Sequence, residues 1–81
     1  MEDIKNIIHE CASGNVRAQE SLYRILAPKM FGVRLRYSKD STEAEDNLQE
    51  GFIKVFTYIK NFRHEGSLEG WVRKIMVNVS L

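Results

Sequence analysis

The chain has 81 residues, 43% of them hydrophobic and 28% charged, with a formal net charge of +1. A chain of that length forms one domain that hides only about 60% of its unfolded surface on folding, and its balance of apolar and charged residues excludes a disordered polymer. No apolar run approaches the roughly 20 residues needed to span a bilayer, and the opening Met1-Glu2-Asp3-Ile4-Lys5 lacks the basic and apolar regions of a secretion signal. The lone Cys11 cannot form an internal disulfide and fits a reducing compartment, so a cytoplasmic protein is expected. His9 near it has no further Cys or His at ligand spacing, so neither a metal nor another cofactor is expected.

Every apolar pattern has a period near 3.6, and no turn joins two alternating runs, which makes the fold class all-α with about four helices. The first is predicted from about Asp3 to Ala12, with Ile4, Ile7, Ile8 and Cys11 inward, ending before the turn-forming Ser13-Gly14-Asn15. The second starts near Asn15 as N-cap, with Ala18, Leu22, Ile25 and Leu26 on its inner face. Pro28 removes a backbone donor and disfavours helix at Ala27, so a kink or restart is predicted there. Beyond it Met30, Phe31, Val33, Leu35 and Tyr37 continue apolar until Ser38-Lys39-Asp40-Ser41 breaks the pattern.

A third helix reads through to Phe62, with Ala44, Leu48, Phe52, Val55, Ile59 and Phe62 on a core-facing stripe. Asp40, Ser41 and Thr42 can each cap it, and Thr42 with Glu45 fits a capping box. Gly51 costs about 1 kcal/mol relative to Ala in a helix interior, tolerable where another backbone packs close. After the loop from Asn61 to Gly66, Ser67 caps a fourth helix through Leu81, with Leu68, Val72, Ile75, Met76 and Val79 on one face. The sequence stops on Asn78-Val79-Ser80-Leu81 without a glycine cap or a proline, so a chain cut inside or just after a helix is expected.

Two surfaces are left over. Asp46, Gln49, Glu50 and Ile53 lie on the far side of the third helix, so a β-branched apolar residue sits among carboxylates and an amide. Either this is a solvated face with one stray isoleucine or it is a docking site. In the fourth helix Trp71, Lys74 and Asn78 align along one flank, with Arg73 on the opposite one, and the preceding loop adds Arg63, His64 and Ser67. An aromatic plane for stacking, a cation for phosphate and an amide for a base edge suit nucleic acid; the alternative is Trp71 at the core edge and His64 in solvent. Charge is also uneven. Residues 17–39 hold Arg17, Arg24, Lys29, Arg34, Arg36 and Lys39 against Glu20 alone, whereas residues 40–50 hold Asp40, Glu43, Glu45, Asp46 and Glu50 with no base. The poles fit two different partners or pair with each other across adjacent helices.

Three stretches stand out together: Leu22-Tyr23-Arg24 with Ala27-Pro28-Lys29-Met30-Phe31 and Leu35-Arg36-Tyr37; Ala44-Glu45-Asp46 with Leu48-Gln49-Glu50-Gly51-Phe52-Ile53-Lys54-Val55-Phe56; and the run from Phe62-Arg63-His64-Glu65-Gly66-Ser67 through Gly70-Trp71-Val72-Arg73-Lys74-Ile75 to Asn78. In this order and separation they resemble region 2 of the extracytoplasmic-function (ECF) sigma factors. The resemblance covers nearly the whole chain and implies a packed helical domain of a bacterial transcription initiation factor. It implies docking on the β′ clamp helices of core RNA polymerase through Asp46, Gln49 and Glu50, with Ile53 and Phe56 as apolar anchors. It also implies recognition and opening of the promoter minus-ten element, mainly on the single-stranded non-template strand, through Asn61, Arg63, His64, Ser67, Trp71, Arg73, Lys74 and Asn78.

Gly70 stands where the larger primary sigma factors carry a second aromatic, so base capture is expected from the loop 61–67, with Trp71 partly core. A further helical domain that reads the minus-35 element would follow in full-length members. A negative regulator, an anti-sigma factor, would silence such a protein by covering the 46–56 face. The competing reading is a helical interaction module that docks through that face and does not touch DNA. An enzyme has little support, because the two histidines lie far apart in sequence and neither a nucleophile motif nor a glycine-rich phosphate loop occurs.

Overall fold

Asn15 organises the first corner of the chain. In the computed structural model, which describes residues 4–79, its side chain caps the second helix by accepting from the Ala18 amide at 3.1 Å and donates to Glu10 Oε2 at 2.9 Å. The Asn15 amide bonds back to the Glu10 carbonyl, and Gly14 takes the left-handed conformation (φ 90°) that closes the first helix. Four α-helices result: α1 (Ile4–Ala12), α2 (Val16–Arg36), α3 (Ser41–Tyr58) and α4 (Leu68–Asn78), with a 3₁₀ turn (Ile59–Asn61) after α3. No strand occurs among the described residues. The fold class is therefore all-α, as the periodicity requires. Asp3, Ser80 and Leu81, predicted as helix ends, lie outside the described residues, as does the side chain of Ile4.

The longest helix, α2, forms the spine and packs against the other three. Its buried face is Leu22, Leu26, Met30 and Val33, spaced by three and four residues. Ile25 was expected among them but is 60% exposed. It precedes Leu26 by one residue, a rotation of roughly 100°, which carries it off the sector that α3 and α4 cover. Leu35 and Tyr37, counted in the apolar continuation, are likewise exposed.

The break predicted at Pro28 does not occur, because α2 runs through it as one helix. Proline deprives the Arg24 carbonyl of its helical donor, but both residues lie on the exposed side of α2, while buried Leu26 and Met30 hold the flanks.

Of the three candidate caps for α3, Asp40 is used: its carboxylate accepts from the Glu43 amide at 2.8 Å. Ala44, Leu48, Phe52 and Val55 are buried as predicted, and Tyr23 of α2 meets Phe52 edge-on at 4.8 Å between ring centroids. The single helix expected as far as Phe62 instead ends at Tyr58. The 3₁₀ turn tightens the chain, keeps Ile59 buried and lets the Phe62 amide bond to the Ile59 carbonyl at 3.1 Å. Phe62 then leaves in extended conformation (φ −66°, ψ 122°) and turns toward α4.

Gly51 packs on α4 through a side chain and not, as expected, a backbone. A Cβ there would collide with the thioether of Met76 and stand 3.3 Å from Val79 Cγ2. Leu68, Val72 and Met76 bury the inner face of α4. Arg34 is fully buried, and its Nη1 donates to the Met76 carbonyl at 2.6 Å, joining α2 to the last turn of α4. That carbonyl is among the last four of α4, which lack a helical donor, and a cation is favoured at a helix C-terminus. Charge counting had put Arg34 in the basic pole; it belongs to the core.

Candidate functional site

The loop between α3 and α4 is built around two special backbone positions. Gly66 has φ 102°, which disfavours any side chain, and Ser67 then caps α4 by accepting from the Gly70 amide at 3.0 Å. Since the Ser67 oxygen is the acceptor in that bond, its hydroxyl hydrogen remains able to donate. His64 is the one non-glycine residue at positive φ (60°) among those described. Its ring lies 4.7 Å from that of Phe62, which in turn lies 5.5 Å from Trp71. Three aromatic rings in series thus fix the loop onto α4.

Between loop and helix opens a recess of about 400 Å³, toward the lower end of the roughly 300–1,000 Å³ spanned by small-ligand sites. Asn61, Arg63, Ser67, Trp71 and Lys74, all singled out from the sequence, line it. Phe62, Glu65 and Gly66, within the loop 61–67 expected to capture a base but not singled out there, complete the lining together with Gly70, which was not assigned to the site. The signal for the glycines was present: one follows the loop charges and the other stands in the first turn of α4, where a Cβ would lie 3.1 Å from Ser67 Oγ. Trp71 is half-buried, with its ring against Phe62, so it serves the core edge and the recess together. Arg63 and Lys74 are exposed cations at this opening, against the single carboxylate of Glu65.

The remaining predicted residues do not line this recess. His64 is exposed and does not line the recess. Asn78 lines a groove along α4 with Gly70, Arg73, Lys74 and Val77, and Arg73 also reaches the junction of α4 with α2.

On α3, Asp46, Gln49, Glu50 and Ile53 are all exposed, Ile53 by 68%. Phe56 is half-buried, packs on Phe52 at 5.9 Å and shares a shallow groove with Val16 and Tyr23 of α2. None of these five lines the loop recess, so the two surfaces are separate. Among the described residues no carboxylate of 40–50 pairs with a base of 17–39; the ion pair present joins Lys29 of α2 to Glu69 of α4 at 2.9 Å. The charge poles therefore do not neutralise each other. No group of three or more metal-ligating side chains gathers among the described residues, and no helix there is long and apolar enough to cross a membrane.

The chain is thus an all-α domain with a charged, apolar-centred face on α3 and a separate basic, aromatic-walled recess before α4. The family model for sigma-70 region 2 matches residues 22–81, and the chain belongs to that family. It is 29% identical over 79 residues to the RNA polymerase sigma-H factor of Pseudomonas aeruginosa, an alignment covering 98% of this chain and 41% of that protein. It is 36% identical over 73 residues to the ECF RNA polymerase sigma factor SigE of Mycolicibacterium smegmatis, covering 86% of this chain and 28% of the relative. The chain thus spans less than half the length of either relative. No solved structure matches it.

Proposed function

We propose that this chain is the part of a transcription initiation factor that holds core RNA polymerase with one helix and promoter DNA with the next. The observation that carries the proposal is the outer face of α3. Ile53 is 68% exposed among Asp46, Gln49 and Glu50, and none of these carboxylates has a base partner among the described residues. An isoleucine in water gains by burial, about 25 cal/mol per Å² covered. Carboxylates on one rigid helix take charge-assisted bonds from arginines of a partner helix. The clamp helices of the polymerase β′ subunit are that partner, with Phe56 extending the apolar contact at the edge of the face. A negative regulator that covered residues 46–56 would silence the factor by competition.

The DNA side follows from the loop recess. A base of the non-template minus-ten strand leaves its stack and enters between the loop and Trp71, where Asn61 and Ser67 offer hydrogen bonds to its edge. Leaving the stack costs a few kcal/mol, offset by contacts inside the recess. Arg63 and Lys74 meet the flanking phosphates, and Asn78 and Arg73 continue the contact along α4. Capturing the base as it swings out is how the domain helps melt the element. Trp71, anchored on Phe62, acts as a wall of the recess and not as a free wedge. His64 holds the loop through Phe62.

Titrating the folded chain with a labelled single-stranded minus-ten oligonucleotide and with its scrambled counterpart at low salt tests the DNA half. Tighter binding of the minus-ten sequence is expected. Equal affinity for both would favour a module that docks on protein alone.

A further inference from the structure

Positive charge also gathers beyond the loop recess, at the junction of α2 with α4. There Arg36, Arg73 and Lys29 line a second recess of about 350 Å³, with Glu69 as its one carboxylate. Lys29 is already engaged, its Nζ 2.9 Å from Glu69 Oε1. Arg36 and Arg73 are exposed, and neither pairs with a carboxylate among the described residues. The cavity's one carboxylate, Glu69, is engaged by Lys29, so two guanidiniums open on this space without a carboxylate bonded to either, and each offers the planar donor fork that suits a phosphate. Arg36 stands in the last turn of α2, where the helix dipole favours a cation. That accounts for one positive residue and not for a second, from another helix, opening on the same space.

Gly32 forms part of the wall. After proline, glycine is the least favourable residue in a helix interior, yet a Cβ at Gly32 would meet nothing within 4 Å. Packing does not require it, and its effect is to keep the recess open. Arg73 also borders the groove along α4, and that groove shares Gly70 and Lys74 with the loop recess. The three hollows thus follow one another, through shared lining residues, from the loop, along α4, to α2.

We infer that the Arg36–Arg73 recess binds a backbone phosphate of the same nucleic acid whose base enters the loop recess, which makes Arg36 a DNA-contacting residue supplied by α2. The inference rests on the DNA half of the proposal above. A phosphate gripped from two helices fixes the register of the strand on α4, a task that base contacts alone do not perform.

The test uses the 81-residue chain in fluorescence anisotropy over a salt series. One probe is the single-stranded minus-ten oligonucleotide, the other the same strand with an upstream duplex arm. Arg36→Gln is expected to weaken binding several-fold. It should also lower the slope of log affinity against log salt, by about 0.9 if the phosphate belongs to the duplex arm and about 0.7 if it belongs to the single strand. The probe that responds identifies the source.

Arg36→Lys should keep most of the slope. Gly32→Glu, which improves helix propensity while putting a carboxylate in the recess, should weaken binding further with an undiminished melting temperature. Wild-type affinity and slope in both Arg36→Gln and Gly32→Glu would overturn the inference. If Lys74→Gln lowers the slope and Arg36→Gln does not, the arginine recess alone is refuted. If the folded wild-type chain binds neither probe, the DNA reading beneath it fails.

Discussion

Replacing Arg34 should damage the core as a buried apolar truncation does, although a count of charges would place the residue on the surface. Its side chain is fully buried, and Nη1 donates to the Met76 carbonyl at 2.6 Å. A buried hydrogen bond with a charged partner contributes about 1.5–3 kcal/mol, and truncating a long buried side chain to alanine leaves a cavity costing about 2–5 kcal/mol. Relief of the desolvation of a buried cation offsets part of that sum. For Arg34→Ala we expect a net loss of about 3 kcal/mol. Arg34→Met keeps volume without the donor and should lose about half as much. At 0.05–0.15 kcal/mol per residue, a chain of this size is stable by only about 4–12 kcal/mol, so the alanine variant should be visibly unfolded well below the wild-type urea midpoint. Urea denaturation followed by far-UV circular dichroism reads the difference. Because the bond seats the last turn of α4 on α2, binding of the minus-ten oligonucleotide should weaken along with stability. Arg34→Ala within about 0.5 kcal/mol of wild type would refute the structural role.

Gly51→Ala gains up to about 1 kcal/mol of helix propensity but forces a methyl against Met76 Cε at 2.8 Å and Val79 Cγ2 at 3.3 Å. Met76 is fully buried, and overpacking costs about 1–3 kcal/mol, so urea titration should show a net loss of about 1 kcal/mol and not a gain. Burial, reinforced by the charge of Glu10, pushes the Cys11 thiol above its ordinary value. Once pH passes the ordinary thiol range, the unfolded chain loses this proton before the folded one does. The unfolded state then binds fewer protons, and stability falls with rising pH. Cys11→Ala should abolish that component of the pH dependence. A thiol reagent should modify wild-type Cys11 only as fast as the chain opens, so prompt labelling of the native protein would contradict the burial. For Lys74→Ala, the salt slope of oligonucleotide binding should fall by about 0.7; an unchanged slope would remove Lys74 from the phosphate contacts.

Local patterns along the chain reveal most of the fold. The α3 core stripe from Ala44 to Val55, the Ser67 cap and the turn at Gly14 each follow from residue type and spacing within a few positions. The same holds for five of the residues lining the loop recess, because the loop and the first turns of α4 are adjacent in sequence and a cavity between them needs no long-range contact. What escaped the sequence depends on neighbours distant along the chain. Arg34 is buried because α4 brings the Met76 carbonyl to it, 42 positions away. Ile25 is exposed because α3 and α4 together cover only part of the apolar surface of α2. Pro28 passes without a break because it and Arg24 lie on the exposed side of a helix that Leu26 and Met30 anchor, a condition that no local propensity records. Phe62 leaves the α3 stripe because its contacts with Trp71 and His64 need an extended backbone after the 3₁₀ turn. The arginine recess has the same character, since Arg36 and Arg73 meet only when α2 and α4 pack.

The division of labour between the two surfaces is tested most directly by calorimetric titration of a β′ clamp-helix fragment onto the chain and its charge-reversed variants. The wild-type chain should bind, and Asp46→Arg and Glu50→Arg should each weaken that binding by about a hundredfold or more. Both variants should retain the wild-type melting temperature and affinity for the minus-ten oligonucleotide, because neither residue touches the core or the loop recess. Wild-type clamp affinity in both variants would contradict the assignment of α3 to the polymerase.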